Sequence, residues 1–497
     1  MNRILMTGLI LALVFCCCSD GGAQTIVSPA ITAPKTKEKV AVSPRSITLH
    51  PQQQPDPMLR YRFWPAPEKQ LQQRAMPIIS RALILSLQVN TDAKQAVVDR
   101  FVDLSWTQDG SDFPVEEIRA QIAPFRFALK ELGHAENRMQ TQYDLQLDQL
   151  TASELLQTLL PELQQMRDLA RVLQLRMRLA IAEQRWEDAI DDCRLGFRLA
   201  EAAAHSTDFL LGRIVGFAIS GIMMSAIEEA IQHPDCPSLY WALACLPESR
   251  LFETRDSIQF ESIAFSRVFS VASDLPDEPI GEDAARAKVL ELVQQANELM
   301  GSGEEQQASA DLLTGLYVLS QADASRDTLA ALPNWRDRAK DLSAVEAVLR
   351  ASVLKCARDR DRWVAWSLLP EEAWEEYKDE RMASLDLRES DSTDILKSLM
   401  RMLTPAVDHA RSIGLRSNQQ RNYLLTLEAL RMHAAIHGQL PATLDKLRPV
   451  PAWNDSLGNQ PFGYQRSTPT TATLTRTPNW NHSSETTFQI ELKGLNE

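Results

Sequence analysis

Residues 161–184, PELQQMRDLARVLQLRMRLAIAEQ, rule out most architectures at once. Leu163, Met166, Leu169 or Ala170, Leu173 and Met177 recur at steps of three and four, with Gln164, Gln165, Arg167, Asp168 and Arg171 between them. A strand puts alternate residues on one face, whereas this spacing gathers the apolar side chains on one side of a 3.6-residue turn. It predicts an amphipathic helix with one buried and one solvated face. The pattern is not local: 44% of the chain is apolar, glycine numbers only 18, and the long runs are rich in Ala, Leu, Glu, Gln and Arg, which favour helix. A chain of 497 residues exceeds what one core supports, so two or three domains are expected, mainly α-helical.

After EQRW comes a second helical pattern, EDAIDDCRLGFRLAEAAA, with Ala189, Cys193, Gly196 or Phe197, and Ala200 along one stripe. The pair resembles a tetratricopeptide hairpin. Trp186 stands at that repeat's aromatic position, Ala189 at its packing alanine and Gly196 at its second small residue, while Gln184 replaces the usual turn glycine. Small residues there let two helices approach closely. No second copy follows at the repeat's period of about 34 residues, so the resemblance implies an irregular array of helical hairpins and not a regular superhelix.

The next stretch, FLLGRIVGFAISGIMMSAIEEAIQH, is strongly apolar, but Arg213 interrupts it. The clean part, Ile214 to Ile227, is shorter than the roughly 20 residues that span a bilayer. Gly212, Gly216 and Gly221 are expected to admit close neighbours of a central soluble helix. Residues 248–415 read as a second helical region with breaks at SDLPDEPIGED and GSGEEQQAS. Its acidic run, LLPEEAWEEYKDERM, sets Glu371, Glu372, Glu375 and Glu376 around Trp374 and Tyr377, which is the pattern of a solvated helix face. After Gly438 threonine, proline and asparagine become common, and YQR, TATLTRT and TTFQIEL alternate as strands do. Residues 416–497 are therefore expected to form a helix followed by a small sheet, a C-terminal α+β module.

At the other end, MNRILMTGLILALVFCCCSDGGAQ joins a short positive region to an apolar run and small residues. That is the form of a bacterial-type export signal over residues 1–23, with cleavage expected after Ala23. An extracytoplasmic location follows, periplasmic or secreted. The alternatives are lipid attachment at Cys16, Cys17 or Cys18, or an uncleaved N-terminal anchor; in each case membrane attachment is through the N-terminus only. Residues 24–69 contain eight prolines by residue 67 and few large apolar residues, and are expected to be a disordered linker. A helical domain should then occupy residues 70–247. The net charge of -14 repels phosphate backbones and anionic lipid surfaces, so nucleic acid is not an expected partner.

Chemistry is sparse. His433 and His437 lie one helical turn apart, the spacing at which two imidazoles share a metal, but HAAIH has Ala434 where a zinc protease has its glutamate, and no third ligand is evident. The competing reading is a helix end, with histidines near the unpaired carbonyls before Gly438. Cys236 and Cys245 either form a disulfide or are two buried thiols. No serine nucleophile elbow, catalytic cysteine context or phosphate-binding glycine loop is present. No enzyme activity and no cofactor are expected. If a binding surface lies on the helical pairs, it should be near Trp186, Arg194 and Tyr240.

Two segments resemble known groups. Residues 172–247, with the phrase PSLYWALACLP, and the later LSAVEAVLRASVLKCARDRDRWVAWSLLPEEAWEE resemble uncharacterised secreted helical proteins of planctomycete-type bacteria, which implies export and a helical fold but no active site. TLEALRMHAAIHGQLPATLDKLRPV followed by NDSLGNQPFGYQR resembles the lower part of type II secretion major pseudopilins. The points of likeness are Gly438, Pro441, Leu444, Leu447, Asp455, Gly458, Pro461 and Tyr464. Ser456 replaces the usual proline, and no long apolar helix adjoins the module at the chain's start. That likeness implies a reused structural module; some members bind calcium in this loop region, where Asp455 and Asn459 would be the oxygen ligands, and one carboxylate is few for a cation that takes about six to eight oxygens. The expected function is an exported helical scaffold or protein-interaction protein of the cell envelope. The alternatives are a metal-dependent hydrolase using His433 and His437, and a subunit of a secretion or pilus-like assembly.

Overall fold

The computed structural model describes residues 45–89, 113–143, 152–260, 275–300, 304–369, 376–384, 395–478 and 486–494. In chain order these residues form β1 (Arg45–Leu49), β2 (Leu71–Arg74), α1 (Met76–Leu87), α2 (Val115–Ile122), α3 (Arg126–Gly133), β3 (Arg138–Gln140), α4 (Ala152–Ala182), α5 (Trp186–His205), α6 (Leu210–Ile231), α7 (Tyr240–Ala244) and α8 (Glu248–Leu251). Then come α9 (Glu282–Met300), α10 (Glu304–Ala330), α11 (Ala344–Ser367), α12 (Lys378–Ser384) and α13 (Ile395–His437). The strands β4 (Asn454–Asp455), β5 (Gln460–Pro461), β6 (Gly463–Arg466), β7 (Thr471–Thr475) and β8 (Thr487–Leu492) follow. The protein is mainly helical, with a small strand-containing C-terminal part.

Between Leu163 and Ala170 helix α4 is amphipathic, with Gln164 exposed and Leu163, Met166, Leu169 and Ala170 buried. Its last turns are buried nearly all round, because α5 packs on one side and α6 on another. Two arginines make this possible: Arg176 forms a bidentate pair with Asp192 of α5, and Arg178 Nε donates to Glu229 Oε2 of α6 at 2.7 Å. The α4–α5 turn is a two-bond helix cap. Arg185 N–H donates to Ala180 O at 2.8 Å and Gln184 N–H to Ile181 O at 2.9 Å, with Gln184 at φ 58°. A side chain in this left-handed conformation is uncommon, and Gln184 uses its own to donate to Asp235 Oδ2 at 3.1 Å.

Helices α5 and α6 touch through small residues. A Cβ on Gly216 would lie 2.7 Å from both Ala200 O and Ala204 Cβ, and one on Gly212 would lie 2.7 Å from Ala203 O; Met223 rests directly on Gly196. Gly221 has no such neighbour. Helix α6 is long and apolar enough to cross a membrane, yet 72% of its most apolar window is buried within the fold.

The four-stranded sheet has the order β1-β8-β7-β6, with β1 parallel to β8 and the other pairs antiparallel. Alternation aims Ile47, Leu49, Ala472, Leu474, Phe488, Ile490 and Leu492 inward, where α13 covers them; Tyr423 of α13 meets Phe488 with ring centroids 4.9 Å apart. The outward face is polar: Ser46, Thr473 and Gln489.

Three expectations about organisation are corrected. Residues 45–69, assigned to the disordered linker, are folded: β1 is a strand of the C-terminal sheet, and Phe63 and Trp64 are 0% and 6% exposed against α5. The rest of that linker and the signal, with Ala23, lie outside the described residues. The boundary at 415 falls inside the single helix α13, and the boundary at 247 is no break, since Leu251 and Phe252 belong to the same core as Leu173 and Phe197. One core therefore takes residues from both ends of the chain. A smaller one, built on Leu329, Trp335, Ala339, Leu342 and Ala347, lies in the intervening helices. There Arg350 stacks on Trp335 at 4.4 Å, and the Glu346 carboxylate accepts from Ile280 N–H at 2.8 Å and Gly281 N–H at 3.1 Å. Glu371, Glu372, Trp374 and Glu375 lie outside the described residues, while Glu376 and Tyr377 are exposed.

Candidate functional site

His433 and His437 close α13. Gly438, at φ 64°, donates its N–H to Ala434 O at 2.9 Å, the single-bond left-handed cap that a residue without a Cβ adopts most readily. The two rings stand 4.3 Å apart and tilted by 39°. His433 is 7% exposed, and its Nδ1 accepts the Arg448 N–H at 3.2 Å. This polarity is wrong for a ligand: a metal-bound histidine donates its second ring N–H to an acceptor, whereas an accepting Nδ1 leaves the proton on Nε2. Burial, followed by His437, also lowers the His433 pKa and keeps the ring neutral. Among the described residues no group of three His, Cys, Asp or Glu side chains is placed to hold a metal ion. Asp455 is 1% exposed with both oxygens engaged, accepting from Gln419 Nε2 at 2.8 Å, Leu457 N–H at 3.0 Å and Thr477 N–H at 2.7 Å. It holds the loop against α13. Asn459 sits beside it at φ 45° as a turn residue.

The three residues nominated as a binding surface work inside the fold. Arg194 pairs with Glu136 and Asp191 and donates to Arg62 O at 3.1 Å. Tyr240 is 3% exposed; its hydroxyl donates to Pro451 O at 3.0 Å and accepts from Trp453 Nε1 at 3.1 Å. Trp186 is half-buried with its ring edge-on to His233 at 5.2 Å. The chain's own residues 60–64 pack along α5: Arg60 pairs with Glu187, Phe63 packs on Phe197 at 5.9 Å, and Arg198 stacks on Trp64 at 4.7 Å. Cys236 and Cys245 are free thiols, not a disulfide. Burial pushes the Cys236 thiol up to about 12, which makes it a poor nucleophile. Cys193 is also buried and raised well above its usual value.

Sequence reasoning missed two buried ionic clusters. Arg431 and Glu428, both fully buried, pair at 2.5 Å. Arg431 also donates to His50 O at 3.0 Å and Cys236 O at 2.6 Å, and Glu428 Oε2 accepts from Ser238 Oγ and Leu239 N–H, each at 3.0 Å. This pair ties the end of β1 and the α6–α7 loop to α13. The signal was a Glu and an Arg three apart on the buried face of LLTLEALRMHAAIH. In the second cluster, His205 donates from Nε2 to Arg250 O at 2.9 Å and accepts at Nδ1 from Arg213 Nη2 at 3.4 Å. Burial, then Arg213, pushes His205 down to about 3. Nearby, Glu201 is 0% exposed and pairs with Arg198 at 2.7 Å and Arg250 at 2.5 Å. Each cluster pairs its charges with protein groups. A space between α1, α3 and α5, lined by Ala75, Ile79, Leu132 and Leu199 together with Glu136 and Arg198, measures about 10 Å³, room for about one water and too small for a small-molecule ligand. No protein-family model, curated protein or solved structure matches the chain.

Proposed function

We propose that the chain is an exported helical scaffold protein of a bacterial cell envelope, built from irregular tetratricopeptide-like hairpins and acting by protein contact and not by catalysis. The observation that supports this most is the internal use of the groups nominated for chemistry: His433 accepts a backbone N–H, Arg194 and Tyr240 are bonded within the fold, and both Asp455 oxygens accept hydrogen bonds. Contact with a partner then falls to surface side chains such as Leu316 and Leu319 of α10, 57% and 73% exposed. The N-terminal apolar run supports export.

Two measurements test the reading. A reporter that is active only outside the cytoplasm, fused after residue 30, is expected to be active; an inactive, cytoplasmic fusion would overturn the export half. Purified protein is expected to carry no stoichiometric zinc, and His433→Ala with His437→Ala to keep the parent's fold while losing about 1–3 kcal/mol where the Arg448 N–H is left without its acceptor. Bound zinc lost in that variant would restore the metal-dependent hydrolase. A pilus-like or secretion-assembly subunit is the second reading, favoured by the 43-residue helix α13 running into the small sheet. Recovery of secretion components with the protein from envelope fractions would support it; their absence would count against it.

A further inference from the structure

The stretch from Thr48 to Gln52, where β1 leaves the sheet, is gripped from three sides. The α6–α7 loop and the end of α6 hold it through Thr48 N–H to Gln232 Oε1 at 3.4 Å and Gln52 Nε2 to Pro234 O at 2.8 Å. Helix α13 holds it through Arg431 Nε to His50 O at 3.0 Å and Gln52 N–H to Arg431 O at 3.3 Å. The end of β8 holds it through Lys493 N–H to Leu49 O at 2.9 Å, and a Cβ on Gly494 would lie 3.3 Å from His50 Nδ1. His50 is half-buried at the centre of this grip.

The charges around its ring are unbalanced. Arg431 faces it from α13, Lys493 from the end of β8, and His233 from the α6–α7 loop. Asp235 of that loop is the opposing carboxylate; Glu428 is committed to Arg431, and Glu491 lies 3.6 Å from the Lys493 ammonium. A proton on His50 would add a cation to a junction that already holds Arg431 and Lys493.

We propose that this junction is an acid-sensitive latch: the N-terminal strand β1 is held on the sheet while His50 is neutral and loosens when His50 is protonated. Burial first, then Arg431, His233 and Lys493, lowers the His50 pKa below 6.5 in the folded protein. A released His50 therefore binds a proton more readily than a docked one. Docking is at full strength above pH 6.5 and weakens as pH falls through 6.5 towards the lower folded-state value. Small histidine shifts act in this range.

Hydrogen exchange of the full-length chain, with rates normalised to the intrinsic rate at each pH, tests the latch. Protection of residues 45–52 is expected to fall severalfold between pH 7.5 and pH 5, and by more than that of the α5–α6 crossing, where His205 also responds to acid. His50→Gln should remove that excess, and Lys493→Glu, at a half-exposed side chain, should reduce it by replacing a repelling cation with a carboxylate. Protection of residues 45–52 that falls no more than that of the α5–α6 crossing in the parent, or an excess that survives in both variants, would overturn the proposal. If His50→Gln does not fold, the parent and Lys493→Glu still decide it.

Discussion

At the scale of single residues, the same substitution should have opposite signs at two glycines of α6. Gly216→Ala places a methyl 2.7 Å from Ala200 O and Ala204 Cβ and is expected to cost about 1–3 kcal/mol. Gly221→Ala meets nothing within 4 Å and, by lowering the unfolded chain's entropy, should gain about 0.5–1 kcal/mol. Denaturant midpoints of the two variants check this. His205 gives a pH prediction. Its folded-state pKa of about 3 against an ordinary 6.5 means that the unfolded chain holds the extra proton between those values. Stability from this group is complete above pH 6.5 and is lost as pH falls towards 3. Unfolding free energy measured from pH 7 to pH 4 should decline less steeply in His205→Gln, by a few kcal/mol at the acid end. Small-residue contacts at Gly212 and Gly216 were legible because glycine in an apolar helix has few other uses. The partners of His205 were not: Arg213 lies eight residues on, across the α5–α6 turn, Arg250 comes from a later segment, and no periodicity reports on either.

At the scale of elements, strand β1 makes the sharpest prediction. Ile47→Asp puts a charge at a position 0% exposed, opposite Ile490. It should destabilise the C-terminal sheet by several kcal/mol, so limited proteolysis is expected to cut residues 463–492 first. A disordered linker would tolerate the change without effect. The alternation of Ile47 and Leu49 between Ser46 and Thr48 was visible in RSITLH, but eight prolines in the surrounding stretch outweighed it. The C-terminal strands were readable because each carries its own alternation, and the α4–α5 hairpin because its two stripes are long. What sequence could not supply was pairing: nothing local in RSITLH points to a partner at the far end of the chain. The end of α13 was legible in Gly438, whereas its start lies well before the expected break at residue 415, because helix periodicity persists through a change of packing partner.

At the scale of the whole molecule, the described residues hold a large core drawn from both ends of the chain and a small one around Trp335. Unfolding should not be two-state. Trp335→Ala, which removes the ring stacked under Arg350, is expected to cost about 3–5 kcal/mol in the small core alone. Calorimetry should show the lower transition move and the upper one stay; a shift of both would mean that the helices melt as one unit. The discontinuous core escaped sequence reading because domains are naturally sought as contiguous stretches. It also sets a timetable for the chain's birth. Residue 45 pairs with residue 488, so this strand leaves the ribosome about 440 residues ahead of its partner. At about 5–20 residues per second that wait is on the order of 20–90 s. Throughout it, Ile47 and Leu49 have no ladder to join, so the nascent protein depends on whatever shields an unpaired strand until its partner is made.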